Sequence, residues 1–597
     1  MKRLNFLIIF FSLFSLAIVF KLFFLQVVMG DKLATSAENQ HFSALDIPAE
    51  RGKILSSDLF PLVMNQKVFL VYATIPDIKG DKKEIAEKLA PLFVEEDTKS
   101  DLKPEEAESS ASSQMTQEAS SEKSEKEYKD KLAIEAARIE DLLGLNDLIW
   151  VPLKRKMSLA ITDRIKSLSI EGLGFEEEQK RSYPEASGSA SLLGFVGADS
   201  NGIDKGYFGL EGFYNGELKG RSGRLREEVD AEGRPILVGS RVEVPPEDGR
   251  DLVLSIDRGA QFIVERKLKE GVAKFGAKSG SVLMMDPKTG AVLADASFPG
   301  FDPGRWEKYN PARYRNPTIN DVFEPGSTFK VITASAALDV VAVDQNTRCP
   351  CTGPRKIGPF EIKTWNNKYY PNSSLAEILQ HSDNVGTVFV SEKLGLEKFL
   401  DYVYNFGFGK TTGIDLEGEA TGILHSRSEW QPIDHATASF GQGHSVTMVQ
   451  MVNAVSAIAN GGELMQPQVV SKIVGKDRTV EIKPRVTRRV IKRETASTMT
   501  ELMVNAVENG EARYFVPKGY RIAGKTGTAQ VPVEGHYDPT KTIASFIGFA
   551  PADDPKFVML VKIDEPKSSP WGSETAAPLF FDIAKELFTY WGLPPNQ

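Results

Sequence analysis

Three short motifs occur in order along this 597-residue chain: Ser327-Thr328-Phe329-Lys330, Ser382-Asp383-Asn384 and Lys525-Thr526-Gly527-Thr528. A serine hydroxyl is a weak nucleophile and needs a base within hydrogen-bond reach. Lys330, one helical turn beyond Ser327 on the same face, is the candidate base. Its amine serves only when neutral, a state that burial and a second nearby cation both favour. Lys525 is the candidate second cation and would also attract a substrate carboxylate. Ser382 can relay a proton to a leaving amine, and Asn384 can hold a substrate amide together with Lys330. Thr526 and Thr528, on either side of Gly527, offer hydroxyls to that carboxylate. The backbone N–H groups of Ser327 and Thr528 are candidates for an oxyanion hole, where losing one donor typically costs about 3 kcal/mol of transition-state stabilisation. The chemistry these types support is acyl transfer through a serine.

Context raises the signal above chance. Ser120 to Lys123 also spells Ser-x-x-Lys, but inside a charged, Ser/Glu-rich stretch. Ser327 instead follows the sharp turn Glu324-Pro325-Gly326 and precedes an apolar run over 331–338 that suits a helix. With the other two motifs it completes the signature of enzymes acylated by D-alanyl peptides or β-lactams. A rival pattern overlaps the third motif, because Gly519 to Thr526 matches a P-loop literally. Phosphate is held at a helix N-terminus after a buried strand. Here Pro517 lies in the segment before and a strand-like run, 527–533, follows, so nucleotide binding is rejected. No His-Glu-x-x-His and no cysteine–histidine cluster is present, so neither a metal nor a cofactor is expected. His381 and His444 read as packing or loop residues.

Residues 252–256 read as a strand followed by an amphipathic helix to about 272. Residues 279–286 and 291–296 form a hairpin across Pro287-Lys288-Thr289-Gly290, and 543–549 with 557–563 form another. Lys525 lies on an extended segment just before the second pair, and 576–590 closes the chain as a helix. Hairpins with helices before and after predict a mixed α/β (α+β) domain on an antiparallel sheet. An extended segment around Thr528 can pair with a peptide as an added strand.

At roughly 150 residues per domain the length suggests three or four domains. A net charge of −9 speaks against nucleic acid as a partner. Residues 6–29 are apolar apart from Ser12, Ser15, Lys21 and Gln26, and as a helix would run about 36 Å, enough to span a bilayer. Lys2 and Arg3 precede it, which predicts a cytoplasmic 1–5 and an exported remainder on an uncleaved, single-pass anchor. Ala34-Thr35-Ser36-Ala37 is a poor cleavage site. Residues 44–65 read as short extended segments, and 188–223, dense in glycine, as loops and short strands. The 97–130 stretch has few large apolar residues and reads as a disordered or loosely helical insertion. Cys349 and Cys351 are expected to be structural thiols, free or locally paired.

With these motifs in hand, the chain resembles the class B penicillin-binding proteins. Residues 22–30 resemble the end of that family's anchor, and Arg51-Gly52-Lys53-Ile54 the start of its pedestal, although Ser57-Asp58-Leu59-Phe60 departs from the usual continuation. Arg181-Ser182-Tyr183-Pro184 and Gly209-Leu210-Glu211 resemble pedestal motifs. Gly407-Phe408-Gly409, 412–416, 439–443 and Ala576-Ala577-Pro578 resemble transpeptidase-domain segments. The resemblance implies a mainly β, elongated pedestal over 30–249, then a penicillin-binding, β-lactamase-like domain over 250–597. It implies a D,D-transpeptidase acting on peptidoglycan stem peptides, inhibited by β-lactams, of septal more than elongation type. Implied partners are a membrane glycosyltransferase and division proteins. An acylable sensor or scaffold and a D,D-carboxypeptidase are the alternatives.

Overall fold

The computed structural model describes residues 2–33, 42–101, 117–185, 189–200, 202–230, 236, 239–533 and 536–595. Helix α1 (Lys2–Phe23) continues through a π-helical turn to Val28. Residues Arg3–Val28 are long and apolar enough to cross a membrane, and none of that span is buried. Residues 34–37, read as a poor cleavage site, lie outside the described residues.

The chain divides into two compact units. One comprises Met1–Gly52, Tyr214–Leu252 and Lys472–Glu481. It holds a three-stranded antiparallel sheet in which Gly223–Glu228 pairs with both Phe42–Ile47 and Arg241–Val244.

The larger unit comprises Lys53–Phe213, Val253–Ser471 and Ile482–Gln597. In its first part, strand β1 (Pro61–Thr74) pairs antiparallel with β2 (Trp150–Ser158) and β3 (Leu173–Ser182). Helices α2 (Lys82–Asp101) and α3 (Gln117–Leu143) pack here through Leu89, Phe93, Ile139 and Leu143. Both flanks of the expected insertion are therefore helical, while 102–116 lie outside the described residues. Beyond position 188 the glycine-dense stretch departs from the loops and strands expected. It contains the short helices Ala190–Leu193 and Gly209–Phe213, and in the smaller unit Asn215–Leu218, each too short to show a helical period in the sequence. Arg181 closes this region through a buried bond to Glu211 at 2.7 Å and another to Asn65 at 2.7 Å.

The rest of the unit is built on five antiparallel strands: β4 (Ser279–Met285), β5 (Val292–Phe298), β6 (Ala523–Val533), β7 (His536–Ala550) and β8 (Phe557–Asp564). Their order is β5-β4-β8-β7-β6. Helices α4 (Arg258–Phe275) and α7 (Ala576–Tyr590; α5 and α6 are given below) form one core with alternate strand residues such as Val282, Phe546, Phe557 and Met559. Leu283, Ile547, Val558 and Leu560, of the opposite parity, are buried too, so the sheet is covered on both faces and its strands read as nearly continuous apolar runs. Helix α4 starts where Asp257 accepts the Ala260 N–H and ends at Gly276 in the left-handed conformation. Both expected hairpins and the closing helix appear where the periodicity placed them.

Candidate active site

Ser327 stands half-buried on a 3₁₀ turn, Gly326–Phe329, that runs straight into helix α5 (Lys330–Asp339). The turn depends on Gly326. Its φ is +53°, and a Cβ there would sit 2.9 Å from the Thr528 carbonyl oxygen. That contact places the nucleophile turn directly against β6. The Gly326 N–H also donates to the Gly441 carbonyl at 2.9 Å.

Helix α5 is buried almost throughout, and Lys330 is fully enclosed. Its Nζ donates to Asn384 Oδ1 at 2.7 Å, to the Ser382 carbonyl at 2.6 Å and to Ser382 Oγ at 3.3 Å. Asn384 opens helix α6 (Asn384–Leu394), capped by Asp383, whose carboxylate accepts the Val385 N–H. The Asn384 Nδ2 group donates to the Lys363 carbonyl at 3.1 Å, which fixes the amide so that its oxygen faces Lys330. Ser382 adopts φ +52°, a region that costs a non-glycine residue about 1–3 kcal/mol and that clusters at functional sites.

Lys525 arrives from the other side on β6, also buried. It donates to Ser382 Oγ at 3.0 Å and to Thr526 Oγ1 at 3.2 Å. The Ser382 hydroxyl thus accepts from Lys525, and once Lys330 is neutral, with its two N–H groups on Asn384 and the Ser382 carbonyl, it can donate its own proton to the Lys330 nitrogen. Burial, reinforced by the Lys525 charge, holds the Lys330 ammonium well below the ordinary lysine range. Burial alone pushes Lys525 down to about 8, with the exposed Glu511 carboxylate opposing. The arrangement therefore favours a neutral Lys330 beside a charged Lys525 at neutral pH.

Thr528 Oγ1 accepts the Gly572 N–H at 3.0 Å, leaving its proton to point elsewhere. Gly527 is required by crowding: a Cβ would lie 2.3 Å from Ser545 Oγ and 2.7 Å from the Thr328 methyl. Hydrogen bonds thus join Lys330, Ser382, Asn384, Lys525 and Thr526, and the close approach of Gly326 to Thr528 brings the turn that carries Ser327 against the same strand. Lys525 sits within strand β6, which runs on to Val533, and not at the start of a helix as the lysine of a P-loop does. Among the described residues no acidic, histidine or cysteine cluster could hold a metal.

The histidines pack. His381 stacks on Tyr370 at 4.0 Å, and His444 is buried against Phe329, where desolvation pushes it down to about 4. Cys349 and Cys351 form a disulfide with each other, which settles the alternatives left open for them as local pairing. Sequence reasoning missed Glu511, the Lys363 carbonyl and an aromatic pair, Trp365 against Trp571 at 5.0 Å. Trp571 adjoins Gly572 and so flanks Thr528. None of these lies in a motif; they meet the site only through the fold.

Two stretches of the chain match known domain families: 46–254 the penicillin-binding protein dimerisation domain, and 280–585 the penicillin-binding protein transpeptidase domain. Stage V sporulation protein D of Bacillus subtilis is 33% identical over 100% of this chain and 87% of its own length. Peptidoglycan D,D-transpeptidase FtsI of Escherichia coli K12 is 34% identical over 75% of this chain and 73% of that one. The crystal structure of penicillin-binding protein 2X from Streptococcus thermophilus superposes with a TM-score of 0.72 at 23% identity, covering 92% of this chain and 80% of that one.

Proposed function

The chain belongs to the class B penicillin-binding proteins, and we propose that it is a peptidoglycan D,D-transpeptidase with Ser327 as nucleophile. One observation carries this reading: Ser382 Oγ lies within hydrogen-bond reach of two buried lysines, at 3.3 Å from Lys330 and 3.0 Å from Lys525. Neutral Lys330 takes the proton of Ser327 as its Oγ attacks the carbonyl of the penultimate D-alanine of a stem peptide. The Ser327 and Thr528 N–H groups hold the oxyanion. Lys525, Thr526 and Thr528 hold the terminal carboxylate. On collapse the C–N bond breaks, and the proton passes from Lys330 through Ser382 Oγ to the departing D-alanine amine. An acceptor amine then attacks the acyl-serine, returns Ser327 as the alcohol and forms the cross-link. A β-lactam acylates Ser327 by the same steps, but its leaving amine stays tethered.

The domain division proposed with this activity is 6–29 as a membrane anchor, 30–249 as pedestal and 250–597 as catalytic domain. Residues 1–5 are placed in the cytoplasm and the catalytic domain outside the membrane. The likeness to FtsI is consistent with a septal role, alongside a membrane glycosyltransferase and division proteins. Mid-cell enrichment of a fluorescent fusion tests that assignment, and uniform sidewall signal with normal septation after depletion rejects it. The chemical test is mass spectrometry of the intact chain after penicillin. One acyl group is expected on Ser327 and none on Ser327→Ala, followed by cross-linked product when a D-Ala-D-Ala peptide and an amine acceptor are supplied. Stoichiometric labelling of Ser327→Ala would reassign the nucleophile.

A further inference from the structure

Glu324 lies three residues before Ser327, and three Cα steps of 3.8 Å limit its backbone to about 11 Å from that of the nucleophile. Its half-buried carboxylate accepts the Gly443 N–H at 3.0 Å through Oε1. The phenol of Tyr537 donates to the same carboxylate, 3.1 Å from Oε1 and 3.3 Å from Oε2. Both donors are neutral, and among the described residues no lysine or arginine pairs with Glu324. Burial pushes its carboxyl above the usual range. A desolvated carboxylate satisfied only by neutral donors gains from an incoming cation.

The position of this pair matches the path of a bound peptide. Tyr537 stands opposite Pro532 in the β6–β7 ladder and is itself exposed. A donor peptide whose carboxylate sits at Lys525, Thr526 and Thr528, with its scissile carbonyl at Ser327, continues along β6 towards Val531 and Pro532. It advances about 3.3 Å per residue. The side chain before its D-alanyl pair therefore passes the Glu324–Tyr537 pair. The reaction itself supplies the cation. Cross-linking consumes a primary amine on an acceptor stem, and donor and acceptor stems belong to the same polymer, so donors carry that amine as well.

We infer that Glu324 and Tyr537 form a specificity subsite for a cationic amine on the residue that precedes the D-alanyl pair of the acyl donor. The inference rests on the transpeptidase reading and narrows its substrate to stems with a free amine at that position. The test uses the full chain in detergent and two soluble peptides ending in D-Ala-D-Ala, each with a lysine immediately before the pair. One has a free ε-amine and the other an acetylated one; released D-alanine is measured. The wild type is expected to show about a tenfold higher kcat/KM for the free amine. Glu324→Gln, which keeps both hydrogen bonds but not the charge, should bring the ratio close to one, and Tyr537→Phe should leave it between. The ratio is internal to each variant, so a general loss of activity does not move it. A wild-type ratio near one, or a tenfold ratio surviving in Glu324→Gln, overturns the subsite. A wild type that releases no D-alanine from either peptide and takes no acyl group from benzylpenicillin overturns the transpeptidase reading, and the subsite with it.

Discussion

Two sets of buried charge in this protein are built on opposite terms. Arg181 and Glu211 are of opposite sign, in contact at 2.7 Å, with Asn65 taking a further guanidinium N–H. Lys330 and Lys525 are of like sign and share a single serine hydroxyl. The first set has its charges cancelled and its donors satisfied, so it fastens the first part of the larger unit and has no reactivity. The second sets two amines side by side in a desolvated place, with the Glu511 carboxylate opposing only in part. Stability is lost there, and what is gained is an amine able to accept a proton near neutral pH.

The largest effect should come from Lys330→Met. Removing the base should lower penicillin acylation about a thousandfold, while thermal melting stays level or rises because a buried amine has gone. A fall in melting temperature with acylation preserved would invert the contrast. Glu211→Ala should do the reverse. It strands a buried guanidinium and should cost about 3 kcal/mol in denaturant unfolding, while the protein that remains folded is acylated at the wild-type rate.

The pH responses separate stability from activity at the lysine pair. Lys525 titrates at about 8 when folded, against 10.5 for a lysine free in water, so between these values the unfolded chain binds the extra proton. Below about 8 its burial destabilises the fold by about 3 kcal/mol. That cost is relieved as pH rises through the window, and Lys525→Met should abolish the rise. Acylation should move oppositely, falling about tenfold per unit above pH 8 as Lys525 loses its charge. An acylation rate that is flat from pH 8 to 10 would remove Lys525 from carboxylate binding. The smallest effect is expected from the stretch between α2 and α3. Replacing 102–116 with a short Gly/Ser linker should leave acylation unchanged and shift melting by no more than about 1 °C, because the stretch has few large apolar residues. A large drop would show that it packs on α2 and α3.

The sequence was most legible where chemistry and local structure share a motif. Ser327 and Lys330 declared a turn and a helix face, and Thr526-Gly527-Thr528 an extended strand. Their convergence on Ser382 was expected from their roles, yet its geometry was not readable, because Lys525 reaches Ser382 across 143 positions. Glu324 was visible as part of a turn, but its partner Tyr537 lies 213 positions away. Short helices such as Ala190–Leu193 were missed for a different reason. One turn contains no repeat for periodicity to find.

The sheet order ends on β6, so the strand that carries Lys525, Thr526 and Thr528 has an unpaired edge. Most proteins shield such edges, since a row of free N–H and C=O groups invites the wrong neighbour. In the proposed reaction an open edge has a use, because a donor peptide can pair with it. A donor peptide lying there would add a sixth strand to the sheet. A non-hydrolysable stem peptide should therefore protect it from heat and from self-association in proportion to occupancy.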